Sequence, residues 1–408
     1  MKHANRVERV EVIAVGSSGT PPPKGRGRSI VSPITGLGDT SALSRGDSSS
    51  GLVPGSAWAV IVRLWDSEGH CGIGSVGFGN AAAVGIIKEH FAPLVLNQNP
   101  FDVEILWERM FRSTINIGRK GIVIEAISAV DIALWDLKGQ ILQRPLYELL
   151  GGRTKERIPV YASRLYATED LDALGAEAKS YVEQGFTGVK QRMAYGPYDG
   201  LAGMRKNLEL VQTVSRAIGP EVEHMVDAYM GWDVGYAVRM IHLIENAGIR
   251  LRWVEEPVIP DDVQGYAKIR RSVSTPISGG EHEFTRYGAL SLLQADAVDV
   301  LQVDVNRVGG VTEAQKVWAL ASAFGIPVIP HVGQMHNYHL IMSHLNSPMA
   351  EHIIRPEPGV VPDEDELFYR LFDGEPDAVD GFVDLDSTRP GLGLTLNDEV
   401  LGSLRIDI

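Results

Sequence analysis

Short apolar runs recur through the second half of the chain at intervals of roughly 25 residues, and helix-like patterns separate them. This rhythm predicts a parallel α/β barrel, in which the carboxyl ends of all strands converge on one face and hold the active site. Helical patterns between the runs include Leu171–Gln184 and Val311–Phe324. The eight strands are predicted at Pro159–Ser163, Gly188–Arg192, Glu223–Tyr229, Leu251–Pro257, Pro276–Glu281, Val298–Asp304, Pro327–His331 and Met349–Ile353.

The first part of the chain has a different pattern, which predicts a separate α+β domain over residues 1–155, followed by the barrel over residues 156–365. Residues 366–408 are expected to pack back on the first domain. Gly16–Gly55, rich in Gly, Ser and Pro, predicts a long loop that is either a binding loop or disordered. Strands are predicted at Val7–Val15, Ala57–Trp65 and Cys71–Gly77, and helices at Ala81–Phe91, Phe101–Phe111 and Gly121–Gln143.

Composition narrows the class of protein. The 408 residues carry a net charge of −14, which argues against nucleic acid or an anionic membrane as a partner. Cys71 is the only cysteine, so a disulfide framework and a thiolate metal cluster are excluded. The sequence shows neither a signal-peptide pattern nor an uninterrupted apolar stretch of membrane-spanning length. We therefore expect a cytoplasmic enzyme.

Three carboxylates stand at the ends of predicted strands three, four and five: Asp227, Glu255 and Glu281. One acidic residue at a strand end is usually a solvent-exposed side chain. Three at neighbouring strand ends would repel one another unless a cation were bound. Oxygen ligands alone favour Mg²⁺ or Mn²⁺ over zinc. The sequence therefore predicts a hard divalent cation in the barrel mouth.

An acid/base pair is predicted from Asp304 and His331, which end adjacent strands six and seven. A carboxylate on one imidazole nitrogen fixes the tautomer and raises the basicity of the other nitrogen. Lys190 and Arg192 lie two residues apart at the end of strand two and so share a face. They could bind a substrate carboxylate or stabilise an enolate oxygen, or they could be surface cations.

Other polar residues are candidates for substrate contacts. Glu351, at the end of strand eight, could protonate or hydrogen-bond a developing oxyanion. His282 and Asn306 are predicted substrate-binding residues, and Arg307 is a further candidate, although all three could be rim residues. A polar loop after strand seven could contact a polyol or could cap the next helix; it contains Gln334, His336, Asn337 and Tyr338.

The sequence resembles the mandelate racemase branch of the enolase superfamily over nearly its whole length. The motifs that carry the resemblance are Ala129–Asp136, Leu149–Gly152, Lys190-x-Arg192, Asp227, Trp253–Pro257, Gly280-Glu281, Asp304 with Gly309-Gly310, and His331. The resemblance implies a modified (β/α)₇β TIM-type barrel with an α+β capping domain. It also implies Mg²⁺ on Asp227, Glu255 and Glu281, and proton abstraction α to a carboxylate.

One departure from the family pattern bears on the reaction. The racemases of this family have Lys-x-Lys where this chain has Lys190-x-Arg192, and arginine is too basic to abstract a proton near neutral pH. The segments Glu281–Arg286 and Tyr195–Pro197 are similar to acid-sugar dehydratases of the rhamnonate or lyxonate dehydratase type. The resemblance thus implies dehydration of an aldonate to a 2-keto-3-deoxy acid through an enediolate. The alternatives are a racemase or epimerase of a hydroxy acid or sugar acid, and a non-catalytic carbohydrate-binding barrel. We expect a homo-oligomer that binds a small acid sugar.

Overall fold

The computed structural model describes residues 5–16, 30–36, 57–77, 81–355, 369–406 and 408. The first domain contains a three-stranded antiparallel meander, with helices packed on one face. Its strands are β1 (Val7–Gly16), β2 (Ala57–Asp66) and β3 (Cys71–Val76). Its helices are α1 (Ala81–Ile86), a π-helical turn at Ile87–Phe91, α2 (Ala92–Val95), α3 (Val103–Thr114), α4 (Ile122–Leu142) and α5 (Leu146–Leu149).

Helix α4 is the central element of this cap. Its sequence is apolar on nearly every side, and the helix is buried between the cap sheet and the second domain. Strand β3 approaches it so closely that a Cβ atom added at Gly74 would lie 2.0 Å from the carbonyl oxygen of Ala129. Glycine at this position therefore allows the sheet and helix to pack in direct contact.

The second domain is a curled parallel sheet with helices outside it, in the strand order β10-β4-β5-β6-β7-β8-β9. Its strands are β4 (Ile158–Leu165), β5 (Gly188–Arg192), β6 (Glu223–Asp227), β7 (Trp253–Glu255), β8 (Ile277–Gly279), β9 (Val300–Leu301) and β10 (Ala350–Ile353). Its helices are α6 (Leu171–Glu183), α7 (Gly200–Ile218), α8 (Val234–Asn246), α9 (Val263–Ser272), α10 (Thr285–Gln294), α11 (Val305–Val308), α12 (Gly310–Ala323) and α13 (Met335–Ser343).

The predicted barrel architecture is confirmed, but strands three to six end earlier than predicted, and the largest difference is at strand seven. There the chain forms a single parallel bridge between Val328 and Leu301 in place of a full strand. The bridge includes the bond that Ile329 N–H donates to the Leu301 carbonyl at 3.0 Å, and one further bond, from His331 N–H to the Val303 carbonyl at 3.2 Å, extends the alignment. Below the mouth, the barrel interior is filled by Tyr161, Met225, Trp253, Val300, Ile329 and Met349.

The C-terminal tail contacts both domains. Strand β11 (Phe372–Asp373) pairs with β13 (Thr395–Leu396), while β12 (Phe382–Val383) pairs with the barrel strand β4. Helix α14 (Asp398–Leu404) leads into β14 (Arg405–Ile406), which pairs with β1 of the cap. The domain limits at 155/156 and 365/366 stay predictions.

Most of the predicted loop Gly16–Gly55 lies outside the described residues. Its described part, residues 30–36, lies against the barrel. Among the helices that the structure describes, none is long and apolar enough to cross a membrane.

Candidate active site

The three predicted metal ligands are all buried at the mouth of the barrel. Asp227 and Glu255 are direct neighbours in the register of β6 and β7, and Glu281 follows β8 by two residues. Neighbouring strands lie about 4.8 Å apart, so the first two carboxylates leave the sheet side by side. This placement, with carboxylate oxygen as the available donor, fits a hard divalent cation.

Each of these carboxylates contacts a different basic side chain. Asp227 is ion-paired with Arg192, its neighbour across β5 and β6. Glu255 accepts a 2.7 Å bond from Lys190, and Glu281 lies 3.3 Å from Arg307. Cations of the protein thus balance negative charge that a bound metal would otherwise balance.

A second group of possible ligands shares Glu281. Within the described residues, donor atoms of Glu256, Glu281 and His282 lie within 4.8 Å of one another. His282 Nδ1 is 2.9 Å from both oxygens of Glu256 and 3.6 Å from Glu281. The structure therefore places the predicted substrate-binding residue His282 next to a predicted metal ligand.

Lys190 is fully buried between two carboxylates. Its Nζ lies 2.7 Å from Glu255 and 2.8 Å from Glu351. Burial alone would lower the pKa of Lys190, but Glu255 and Glu351 outweigh it and raise that pKa above its usual value. A lysine whose pKa is raised in this way is better suited to stabilise negative charge than to abstract a proton.

The predicted contact between Asp304 and His331 is present. His331 Nδ1 lies 2.9 Å from Asp304 Oδ2, and Nε2 lies 3.5 Å from Glu281. Burial opposes protonation of His331, yet Glu281 and the hydrogen bond to Asp304 raise its pKa above the ordinary value. The bond through Nδ1 leaves Nε2 directed toward the metal-ligand side of the mouth, which suits a general base.

Glu351 supports Lys190 and the loop after His331. One carboxylate oxygen contacts Lys190 and accepts a bond from Ser163, and the other accepts from the backbone of Val332 at 2.9 Å. Although burial opposes ionisation, Lys190 lowers the pKa of Glu351 to about 2. A carboxylate with this pKa carries no proton to donate, so hydrogen bonding is the role that fits.

The remaining polar residues mainly hold the mouth together. Asn306 donates to Gln334 at 2.7 Å, and Asn337 donates to the backbone of His331 at 2.8 Å. Tyr338, in the first turn of α13, is hydrogen-bonded to His352 at 2.9 Å. The prediction of a polar loop here is wrong: Gln334 is the N-cap of α13, and His336, Asn337 and Tyr338 lie in its first turn.

The backbone leaves the regular strand conformation directly after several of these residues. Glu256, which follows Glu255, has φ +39°, and Val332, which follows His331, has φ +66°. A β-branched residue rarely adopts such an angle, which costs about 1–3 kcal/mol. The turns re-aim the side chains at the strand ends, as is common at functional sites.

A short segment of the N-terminal loop covers the ends of β5 and β6. The Val31 N–H donates to Met193 at 2.7 Å, and the Val31 side chain is fully buried. A Cβ atom at Gly196 would lie 2.9 Å from Val31, and one at Gly231 would lie 2.6 Å from it. Two glycines therefore form a slot for Val31 next to the Arg192–Asp227 pair.

The cap and the barrel sequences both match established families. Residues 53–151 match the N-terminal domain of mandelate racemase and muconate lactonizing enzyme, and residues 173–400 match the enolase C-terminal domain-like family. The chain belongs to the mandelate racemase branch of the enolase superfamily.

Individual members of the superfamily agree with this assignment. An L-rhamnonate dehydratase of Saccharopolyspora erythraea is 39% identical over 345 residues, which cover 84% of each chain. The crystal structure of L-rhamnonate dehydratase from Gibberella zeae has a TM-score of 0.84 and 32% identity, covering 99% of this chain and 97% of that one. The crystal structure of Gibberella zeae rhamnonate dehydratase complexed with Mg matches with a TM-score of 0.84 and 31% identity, and the match covers 100% of this chain and 97% of that one.

Proposed function

We propose that this enzyme is an Mg²⁺-dependent aldonate dehydratase that converts its substrate to a 2-keto-3-deoxy acid. Its membership of the superfamily and its L-rhamnonate dehydratase relatives identify it as an acid-sugar dehydratase. The proposal of a one-base dehydration rests on one observation: His331 is paired with Asp304, while both residues of the Lys190-x-Arg192 motif are held as cations by carboxylates.

Mg²⁺ is proposed to bind Asp227, Glu255 and Glu281. Their adjacency and oxygen-only chemistry support this assignment, as does the Mg complex of a 31% identical relative. When bound, the ion would act as a Lewis acid on the substrate carboxylate. Lys190 is placed to add positive charge where the carboxylate gains electron density during proton removal.

His331 is proposed to carry out both proton transfers. Nε2 removes the proton from C2, and Asp304 stabilises the resulting imidazolium through Nδ1. The imidazolium then protonates the 3-hydroxyl as the C3–O bond breaks, so water leaves. The enol that remains between C2 and C3 tautomerises to the 2-keto-3-deoxy acid.

The choice between elimination and epimerisation can be tested with a pair of C2-epimeric aldonates. Epimerisation requires a second base on the face opposite His331, and the Arg192 guanidinium cannot act as one. One epimer is therefore expected to yield keto acid, detected with semicarbazide, while its C2 epimer does not react. Interconversion of the two epimers without keto acid would overturn the dehydratase proposal and favour the epimerase.

A second test concerns the segment that covers the mouth. Gly231→Ala places a methyl group in the slot of Val31 and is expected to raise KM for the acid sugar about tenfold, with a smaller change in kcat. The control is Gly175→Ala in α6, where the added Cβ meets neighbours only at 3.6 Å or beyond. Steady-state kinetics provide the measurement. Equal KM values in both variants would show that Val31 has no part in binding.

A further inference from the structure

One residue of helix α4 is more exposed to solvent than its neighbours. Every residue from Val123 to Leu137 is buried except Glu125, which is partly exposed. The helix lies between the cap sheet and the segment after β9 that contains α11 and α12. Its partly exposed residue is a carboxylate, in a helix that is otherwise mainly apolar.

Hydrogen bonds fix which part of the barrel this position faces. The Ser128 hydroxyl accepts from the Gly309 N–H at 3.0 Å. One turn later, Asp131 accepts from the Thr312 N–H at 2.8 Å. Helix α4 and the segment of α11 and α12 thus advance together by three residues. Glu125 stands three residues before Ser128 on the same face of α4, which aligns it with α11, where Arg307 lies.

The electrostatic surroundings of Glu125 agree with this alignment. Burial raises the pKa of its carboxyl group, Arg307 lowers it, Asp304 raises it and His282 lowers it. All three charged neighbours belong to the barrel mouth described above. Together with the register of α4, these neighbours locate Glu125 on the cap side of the barrel mouth, near Arg307 and Asp304.

We propose that Glu125 is a substrate-binding residue that accepts hydrogen bonds from hydroxyl groups of the acid sugar and selects against a substrate with a second carboxylate. This inference rests on the proposed dehydratase function and adds a specificity determinant from the cap. The sequence does not indicate this role, because Glu125 follows no predicted strand and lies in a pattern that predicts a buried helix.

The chemistry of the two substrate classes explains the expected selection. Sugar hydroxyls are donors, and an ionised carboxylate is an acceptor that forms strong, charge-assisted bonds with them. A second substrate carboxylate near Glu125 would meet a like charge. Other negative groups lie close by, since Asp304, Glu281 and Glu256 are in the same part of the mouth. Arg307 already lies 3.3 Å from Glu281 and 3.7 Å from Asp304, so its charge is largely compensated.

The test compares Glu125→Gln and Glu125→Ala with the wild type in Mg²⁺, using a panel of aldonates and of aldarates, which carry a carboxylate at each end. Glu125→Ala is expected to lower kcat/KM for the preferred aldonate about tenfold, mostly through KM, because a hydrogen-bond acceptor is lost. Glu125→Gln keeps an acceptor and removes the charge. It is expected to stay within about threefold on the aldonate and to raise the aldarate-to-aldonate ratio of kcat/KM at least tenfold.

The matched control is Glu104→Gln, a cap carboxylate that pairs with Lys316 on α12 at 2.8 Å. It is expected to leave the aldarate-to-aldonate ratio unchanged. If the Glu125 variants keep the wild-type ratio, or if both substrate classes lose activity in proportion with a lower Tm, the specificity role is overturned while the dehydratase function stands. If the wild type dehydrates no acid on the panel and binds none in calorimetry, the proposed function fails and this inference fails with it.

Discussion

Replacing His331 with asparagine is expected to lower kcat roughly 10³-fold, within the range that a general acid–base group contributes. The reason is geometric as well as chemical. His331 is held by Asp304 at 2.9 Å and is the group proposed to move both protons of the elimination. The measurement is exchange of the C2 proton of the substrate with deuterated water, followed by proton NMR together with keto-acid formation.

Two comparisons separate loss of the base from loss of the fold. Asp304→Asn is expected to slow the same step by roughly 10–100-fold while substrate binding persists, because it disturbs the orientation of the imidazole. His242→Asn changes a half-exposed histidine on α8 that pairs with Glu245, and it is expected to have wild-type activity. Wild-type C2 exchange in His331→Asn would contradict the assignment of the base.

The architecture was predictable because repeated local patterns determine it. The strand at Gly188–Arg192 has the same bounds in prediction and structure, because its place follows from the regular spacing of strands and helices; Val189 is its only large apolar residue. Strands three and four end earlier than predicted. The chain turns at Tyr229 (φ +38°) and Glu256 (φ +39°), and neither angle is signalled by residue type. The predicted length of strand seven was also too great, because its pairing is limited to one bridge at Val328.

The candidate site was predictable where polar residues end the strands, as Asp227 ends β6 and Glu255 ends β7. Which of these side chains contact one another was not predictable, because the contacts depend on side-chain directions beyond the ends of the strands. Glu256 follows Glu255 at a turn with positive φ, so alternation along the strand no longer applies, and it meets His282. Glu125 comes from another domain and is separated from Asp304 by most of the barrel sequence. Its proposed role follows from the register between α4 and the segment that contains α11 and α12.

Removing the metal is expected to lower activity about 10³-fold or more, since polarising the reacting carboxylate contributes several kcal/mol. Chelation followed by dialysis should abolish dehydration, and added Mg²⁺ should restore it. The protein has enough internal cations to remain folded without the ion, because Arg192, Lys190 and Arg307 contact the three proposed ligands. Circular dichroism of the metal-free protein should therefore keep the wild-type spectrum. Full turnover after chelation would contradict the Mg²⁺ proposal.

The position of the metal can be decided by comparing two buried carboxylates. Asp227 belongs to the proposed ligand set, whereas Glu256 belongs to the neighbouring group with Glu281 and His282. Mg²⁺ prefers oxygen ligands to imidazole, which favours the first set. Asp227→Asn is therefore expected to weaken Mg²⁺ binding in calorimetry at least tenfold, and Glu256→Gln much less. Asp261→Asn, at an exposed rim residue, provides the control with unchanged affinity. If Glu256→Gln loses Mg²⁺ and Asp227→Asn retains it, the ion binds beside His282, and the proposed ligand set is wrong.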